Sequence, residues 1–127
     1  MAYVDIVTAL AVLQYLVFGF KVGAARERYG VKAPAVVGHE LFERRFRVQQ
    51  NTLEQLIAFL PSIYLFARYW DPAWAAAIGL VYLAGRELYG ISYARDPAKR
   101  GPGFGLTFLA TAVLLLGGLI GAVRALV

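Results

Sequence analysis

Four long apolar runs, with the charges gathered between them, constrain this chain more than any other feature. They are YVDIVTALAVLQYLVFGF (Tyr3 to Phe20), the stretch from about Phe46 to Tyr69, PAWAAAIGLVYLAGRELYGISY (Pro72 to Tyr93), and FGLTFLATAVLLLGGLIGAV (Phe104 to Val123). A helix needs about 20 mostly apolar residues to cross a bilayer. Four such runs nearly exhaust 127 residues, of which 60% are hydrophobic, whereas a soluble domain is about 45–50% apolar. None of the runs alternates as a barrel strand does. The expected fold is therefore an all-α integral membrane protein, an up-down bundle of four transmembrane helices. It forms one domain over 1–127, with spans at about 3–28, 44–69, 72–94 and 103–125. Pro61 predicts a bend in the second span.

Several function classes fall away at once. With no cysteine and one histidine, His39, the chain offers no disulfide framework, no thiolate or His-rich metal site and no cysteine nucleophile; no metal is expected. The net charge of +5 is spread between apolar runs instead of forming a soluble basic face, so no nucleic acid is expected. A cleaved signal peptide would carry its positive charge before the first run; here Lys21, Arg26 and Arg28 follow it. The same charges set topology. The first connection holds Arg26, Arg28, Lys32, Arg44, Arg45 and Arg47, the third holds Arg95, Lys99 and Arg100, and the second only Arg68. The positive-inside rule then puts connections one and three in the cytoplasm. Tyr69, Trp70 and Trp74 mark the opposite interface. Gly117 and Gly121 form a small-xxx-small pair suited to close helix packing, and GPGFG (Gly101 to Gly105) reads as a turn.

The second and third spans carry polar residues at helical spacing. Arg47, Asn51 and Glu54 fall at i, i+4 and i+7, with Arg44 one turn earlier and Gln50 at the edge of the stripe. Arg86, Tyr89 and Tyr93 repeat the pattern at the same end of the third span. A charge at mid-bilayer costs about 2.5–3.5 kcal/mol, so these stripes face protein or water, and Arg86 with Glu54 is the natural internal pair. Two readings follow: an ion network that fixes helix register, or a ligand site. Arg44, Arg47, Arg86, Arg95 and Arg100 outnumber Glu43, Glu54, Glu87 and Asp96, which favours a site for carboxylates, the groups that Arg binds in bidentate fashion. Asn51 and Glu54 would suit an amine or amide on the same ligand, so a small peptide-like acid fits.

The residues that carry these stripes also carry a resemblance. FERRFRVQQNTLEQLIAFLP (Phe42 to Pro61) and GRELYGISYARDPAKR (Gly85 to Arg100) resemble segments of the MAPEG family, the membrane-associated proteins of eicosanoid and glutathione metabolism. KVGAARERYGVKAP is similar to the corresponding stretch of its microsomal glutathione S-transferase 3 type. The resemblance implies a homotrimer of four-helix subunits that binds glutathione as co-substrate between subunits near the cytoplasmic face. It implies glutathione contacts from Arg47, Gln49, Asn51, Glu54, Arg86, Tyr89, Tyr93 and Arg100, with Arg100 as the catalytic residue holding the glutathione sulfur as thiolate. A nearby guanidinium lowers a thiol's pKa, and the thiolate is the nucleophile.

Two positions depart from the family pattern. The leukotriene-synthesising branch has adjacent arginines after its first helix, and here Arg26 is followed by Glu27. Gln55 stands where some members have an aromatic. The expected function is a membrane-bound glutathione transferase, with glutathione peroxidase activity as a companion. Its partners are glutathione, membrane lipid and a lipophilic electrophile or lipid hydroperoxide. The expected location is a bacterial inner membrane or the endoplasmic reticulum. The rival reading is a non-catalytic membrane scaffold or lipid-presenting protein of the same fold.

Overall fold

The computed structural model describes residues 1–127 and contains helices only: α1 (Ala2–Tyr29), α2 (Glu40–Tyr69), α3 (Pro72–Arg95) and α4 (Gly101–Leu126), with a single 3-10 turn, Pro97–Lys99, before α4. Local chemistry sets the helix ends. Gly30 closes α1 in the left-handed conformation, φ 68°, and its N–H donates to the Arg26 carbonyl; only glycine takes that geometry without cost. His39 starts α2 by accepting the Leu41 N–H on Nδ1 at 3.1 Å. Asp71 caps α3 through Ala73 N–H at 2.9 Å, with Pro72 in the first turn where its missing N–H does no harm. Asp96 does the same for the 3-10 turn, through Ala98 N–H at 3.0 Å. Pro61 lies inside α2, which runs through it uninterrupted.

Contacts along the helices fix their directions. Asp5 of α1 accepts a hydrogen bond from Tyr64 near the end of α2, whereas Phe18 packs with Val48 near its start. α1 and α2 are therefore antiparallel. Phe59 stacks on Tyr82 at 3.8 Å between centroids, while Asn51 meets Arg86, so α3 reverses again. α4 returns beside α3 and runs parallel to α2, with Thr107 beside Arg86 and Gly117 beneath Phe66. The first and third connections thus share one end, the basic end. The main core gathers Val4, Val7 and Ala11 with Phe59, Ile63, Tyr82, Ala110 and Leu114.

Large apolar side chains cover much of the outside of the bundle, and part of its inside is polar. Phe20 is 77% exposed, Ile57 71% and Phe108 62%, while Asn51, Thr52, Arg86 and Thr107 are buried. Continuous apolar exposure of this kind marks a membrane or protein interface. α1 and α4 are each long and apolar enough to cross a membrane, with mean hydropathy 1.8 and 2.3. α2 and α3 turn Asn51, Thr52, Ser62 and Arg86 toward their neighbours, while Arg47, Glu54 and Glu87 stay exposed.

The Gly117–Gly121 pair is a helix contact inside the chain. A Cβ at Gly117 would meet the Phe66 ring at 2.6 Å, and one at Gly121 the Tyr69 Cβ at 2.4 Å. GPGFG is a correction: it is the first turn of α4 and not a loop turn. Gly103 has a packing cause, because a Cβ there would lie 2.4 Å from the Tyr89 backbone nitrogen and 2.9 Å from the Gly85 carbonyl oxygen. Backbone cannot move aside as a side chain can. Gly103→Ala is expected to cost about 1–3 kcal/mol, the usual range for overpacking, and to lower the melting temperature in detergent. Gly105→Ala, which meets nothing within 4 Å, is the control and should leave it unchanged or raise it slightly, because alanine favours a helix over glycine.

Candidate functional site

The polar centre of the bundle is built around Arg86. Its side chain is fully buried, with the guanidinium carbon 4.3 Å from the Tyr89 ring centroid. Nε donates to Thr107 Oγ1 at 2.9 Å, and Nη1 donates to Asn51 Oδ1 at 2.7 Å and Thr52 Oγ1 at 3.3 Å. The threonines are oriented for this. Thr52 donates its own proton to the Val48 carbonyl and Thr107 donates to that of Gly103, which leaves their oxygen lone pairs to accept from Arg86. The expected Arg86–Glu54 pair does not form. Glu54 follows Asn51 by three residues, about 60° short of a full helical turn, and that rotation carries its carboxylate to the exposed side of α2. Three neutral oxygens take the place of a counterion.

Beside this centre, at the basic end, lies a cleft of about 520 Å³ lined by Arg47, Asn51, Tyr89, Tyr93, Arg100 and Phe104. The helical spacing read from sequence brings the first four to one wall. Arg100 arrives from the 3-10 turn, whose Pro97 carbonyl accepts from its Nη1 at 2.9 Å. Phe104, one helical turn further, closes the other side with its ring 6.4 Å from Tyr89. Phe104 is the lining residue that sequence reasoning missed. Reading GPGFG as a turn hides its i+4 relation to Arg100.

The remaining sequence-derived candidates sit elsewhere in this chain. Arg86 stands behind the cleft and reaches it through Asn51. Glu54 is exposed and does not line it. Gln49 lies on another face of α2, where its Nε2 would be 2.9 Å from a Cβ at Gly19 of α1.

What the cleft can do follows from its lining. The one ion pair in the chain joins Arg44 to Glu40, so Arg47 and Arg100 carry free guanidinium charges. Asn51 has committed Oδ1 to Arg86 and has its NH2 left to offer. With the Tyr89 and Tyr93 hydroxyls, the wall consists of donors, and no carboxylate lines it. A site of this kind selects an anionic, acceptor-rich ligand. With Oδ1 bonded to Arg86, Asn51 can meet an amide through the amide's carbonyl oxygen and not an amine.

Comparison with known proteins decides the family. The MAPEG family profile matches residues 4–120. The chain belongs to the MAPEG family. An uncharacterized protein of Synechocystis sp. is 50% identical over 115 residues, 91% of this chain and 84% of that one. Human microsomal glutathione S-transferase 2 is 39% identical over 115 residues, 91% of this chain and 78% of that one. Bovine leukotriene C4 synthase is 36% identical over 94 residues, 74% of this chain and 63% of that one. The matched human transferase carries the type 2 designation, whereas the stretch after α1 resembles type 3 in sequence.

Proposed function

We propose that this protein is a membrane-bound glutathione transferase whose cleft binds glutathione as an anion. The observation that carries the reading is the convergence of unpaired Arg47 and Arg100 with Asn51, Tyr89 and Tyr93 on one cleft. Membership in a family whose relatives include glutathione transferases supports it. Arg47 and Asn51 take the carboxylate and carbonyl oxygens of the tripeptide. Arg100 holds the sulfur, and the tyrosine hydroxyls complete the donor set. Glu54 and Gln49 point out of this cleft, so their part in binding, and recognition of the glutathione amine, comes across the boundary of a homotrimer.

The chemistry is short. The thiol loses its proton to water, and the resulting thiolate is stabilised by Arg100. Sulfur then attacks the electrophilic carbon of a lipophilic acceptor from the bilayer; a C–S bond forms and the leaving group departs with its electron pair. With a lipid hydroperoxide, sulfur attacks the distal oxygen and the O–O bond breaks, leaving an alcohol and a glutathione sulfenic acid. A second glutathione converts that acid to the disulfide and water. Binding in one cleft supplies proximity, and the guanidinium supplies charge stabilisation. Connections one and three face the cytoplasm, where glutathione is drawn from solution.

Conjugation of glutathione to an aromatic halide by the purified protein tests the reading. Turnover that a non-reactive glutathione analogue suppresses is expected. Its absence, with no glutathione binding, would leave a scaffold. Arg47→Ala should raise KM for glutathione about tenfold or more, the loss expected of one charge-assisted hydrogen bond, with a smaller effect on kcat. Steady-state kinetics against glutathione concentration checks the split.

A further inference from the structure

A second basic site lies at the same end of the bundle, on the opposite side of α1 from Gly19 and Gly23. Lys21, Arg28 and Arg45 surround a cleft of about 290 Å³, and its lining shares no residue with the first cleft. None of the three cations has a carboxylate within ion-pair distance, since the only ion pair is Arg44–Glu40. The floor is apolar, made by Ala24, Leu41 and Ala94. From this floor a stripe runs down α1 at steps of three and four residues. Lys21 is followed by Val17, Leu13 and Leu10, at 46%, 55% and 43% exposure.

We infer that this cleft holds the phosphate of an anionic lipid headgroup of the leaflet at the basic end, with its acyl chain lying along Val17, Leu13 and Leu10. The shape decides for a lipid over a free phosphate. Three unneutralised cations at a membrane interface attract a phosphate, and the apolar stripe below them is the surface an acyl chain covers. Basic pockets between helices on the cytoplasmic side are a recurring way to select such headgroups. The inference stands apart from the glutathione reading, and lipid binding is measured without any turnover.

The test is native mass spectrometry of the detergent-solubilised full chain titrated with phosphatidylglycerol, phosphatidylcholine or inorganic phosphate. Tight, saturable binding of phosphatidylglycerol in preference to phosphatidylcholine is expected. The variant K21Q/R28Q/R45Q should weaken it about a hundredfold, given the attraction each Lys or Arg contributes near the surface. Ala24→Phe, which fills the floor and leaves the charge unchanged, should weaken it as well. A control that removes three charges from the same end outside the cleft, K32Q/R95Q/K99Q, should retain the binding. Equal loss in the control would overturn the site in favour of diffuse positive charge. Equal binding of phosphatidylcholine would overturn headgroup selection. Binding of inorganic phosphate as tight as that of the lipid would overturn the lipid assignment.

Discussion

Arg100→Ala should abolish the ultraviolet thiolate band that appears when glutathione is added, and lower kcat/KM at neutral pH by about 10²–10³-fold, the range for removing one charge-stabilising donor. Folding should be untouched, because the side chain is exposed and its only bond is to the Pro97 carbonyl. The direction in pH follows from the chemistry. A cationic neighbour favours the ionised thiol and lowers its pKa, so the intact protein should hold thiolate well below the ordinary thiol pKa of about 8.5. Without Arg100 the bound thiol ionises near that ordinary value. The variant's rate should then climb steeply with pH through that region, while that of the intact protein has already levelled off. Stopped-flow absorbance and a pH–rate profile read both outcomes. A variant that keeps the thiolate band at neutral pH contradicts the role given to Arg100.

Asn51→Leu should be the most destabilising change at the polar centre. It leaves the buried Arg86 guanidinium without its shortest bond, the 2.7 Å contact to Oδ1. A hydrogen bond to a charged group is worth about 1.5–3 kcal/mol, and a buried donor left unmatched adds desolvation cost. Arg86→Met should cost less than Asn51→Leu. It removes the charge together with its demand for partners, and Thr52 and Thr107 keep their bonds to the Val48 and Gly103 carbonyls. Adding Asn51→Leu to Arg86→Met should then cost little more, a non-additivity that marks a shared network. Thermal unfolding in detergent gives all four corners of the cycle. Strict additivity would mean that Asn51 and Arg86 contribute independently.

Much of this site was legible from spacing alone. Arg47 with Asn51, and Tyr89 with Tyr93, recur at one helical turn, so one face of each helix had to carry both members. What periodicity does not say is which neighbour a face meets. Gln49 precedes Asn51 by two residues, about 200° of rotation, which turns it toward Gly19 of α1 and away from the cleft. Charge matching misled in the same way: Glu54 looked like the counterion for Arg86, yet the inward side of α2 at that depth presents Asn51 and Thr52. Gly101 and Gly103 beside Pro102 have the composition of a turn. The approach of α4 to the Tyr89 backbone explains Gly103 in the first turn of that helix, and that approach is a tertiary fact.

Glutathione-dependent thermal stabilisation of the purified protein in detergent tests the central claim most directly, because it asks only whether the donor-lined cleft binds the tripeptide. Saturation at a hundred times Kd should stabilise by about 2.7 kcal/mol, and a tenfold loss of affinity in Arg47→Ala should remove about half of that gain at the same concentration. No stabilisation of the intact protein at millimolar glutathione, or one that Arg47→Ala leaves unchanged, would contradict the account.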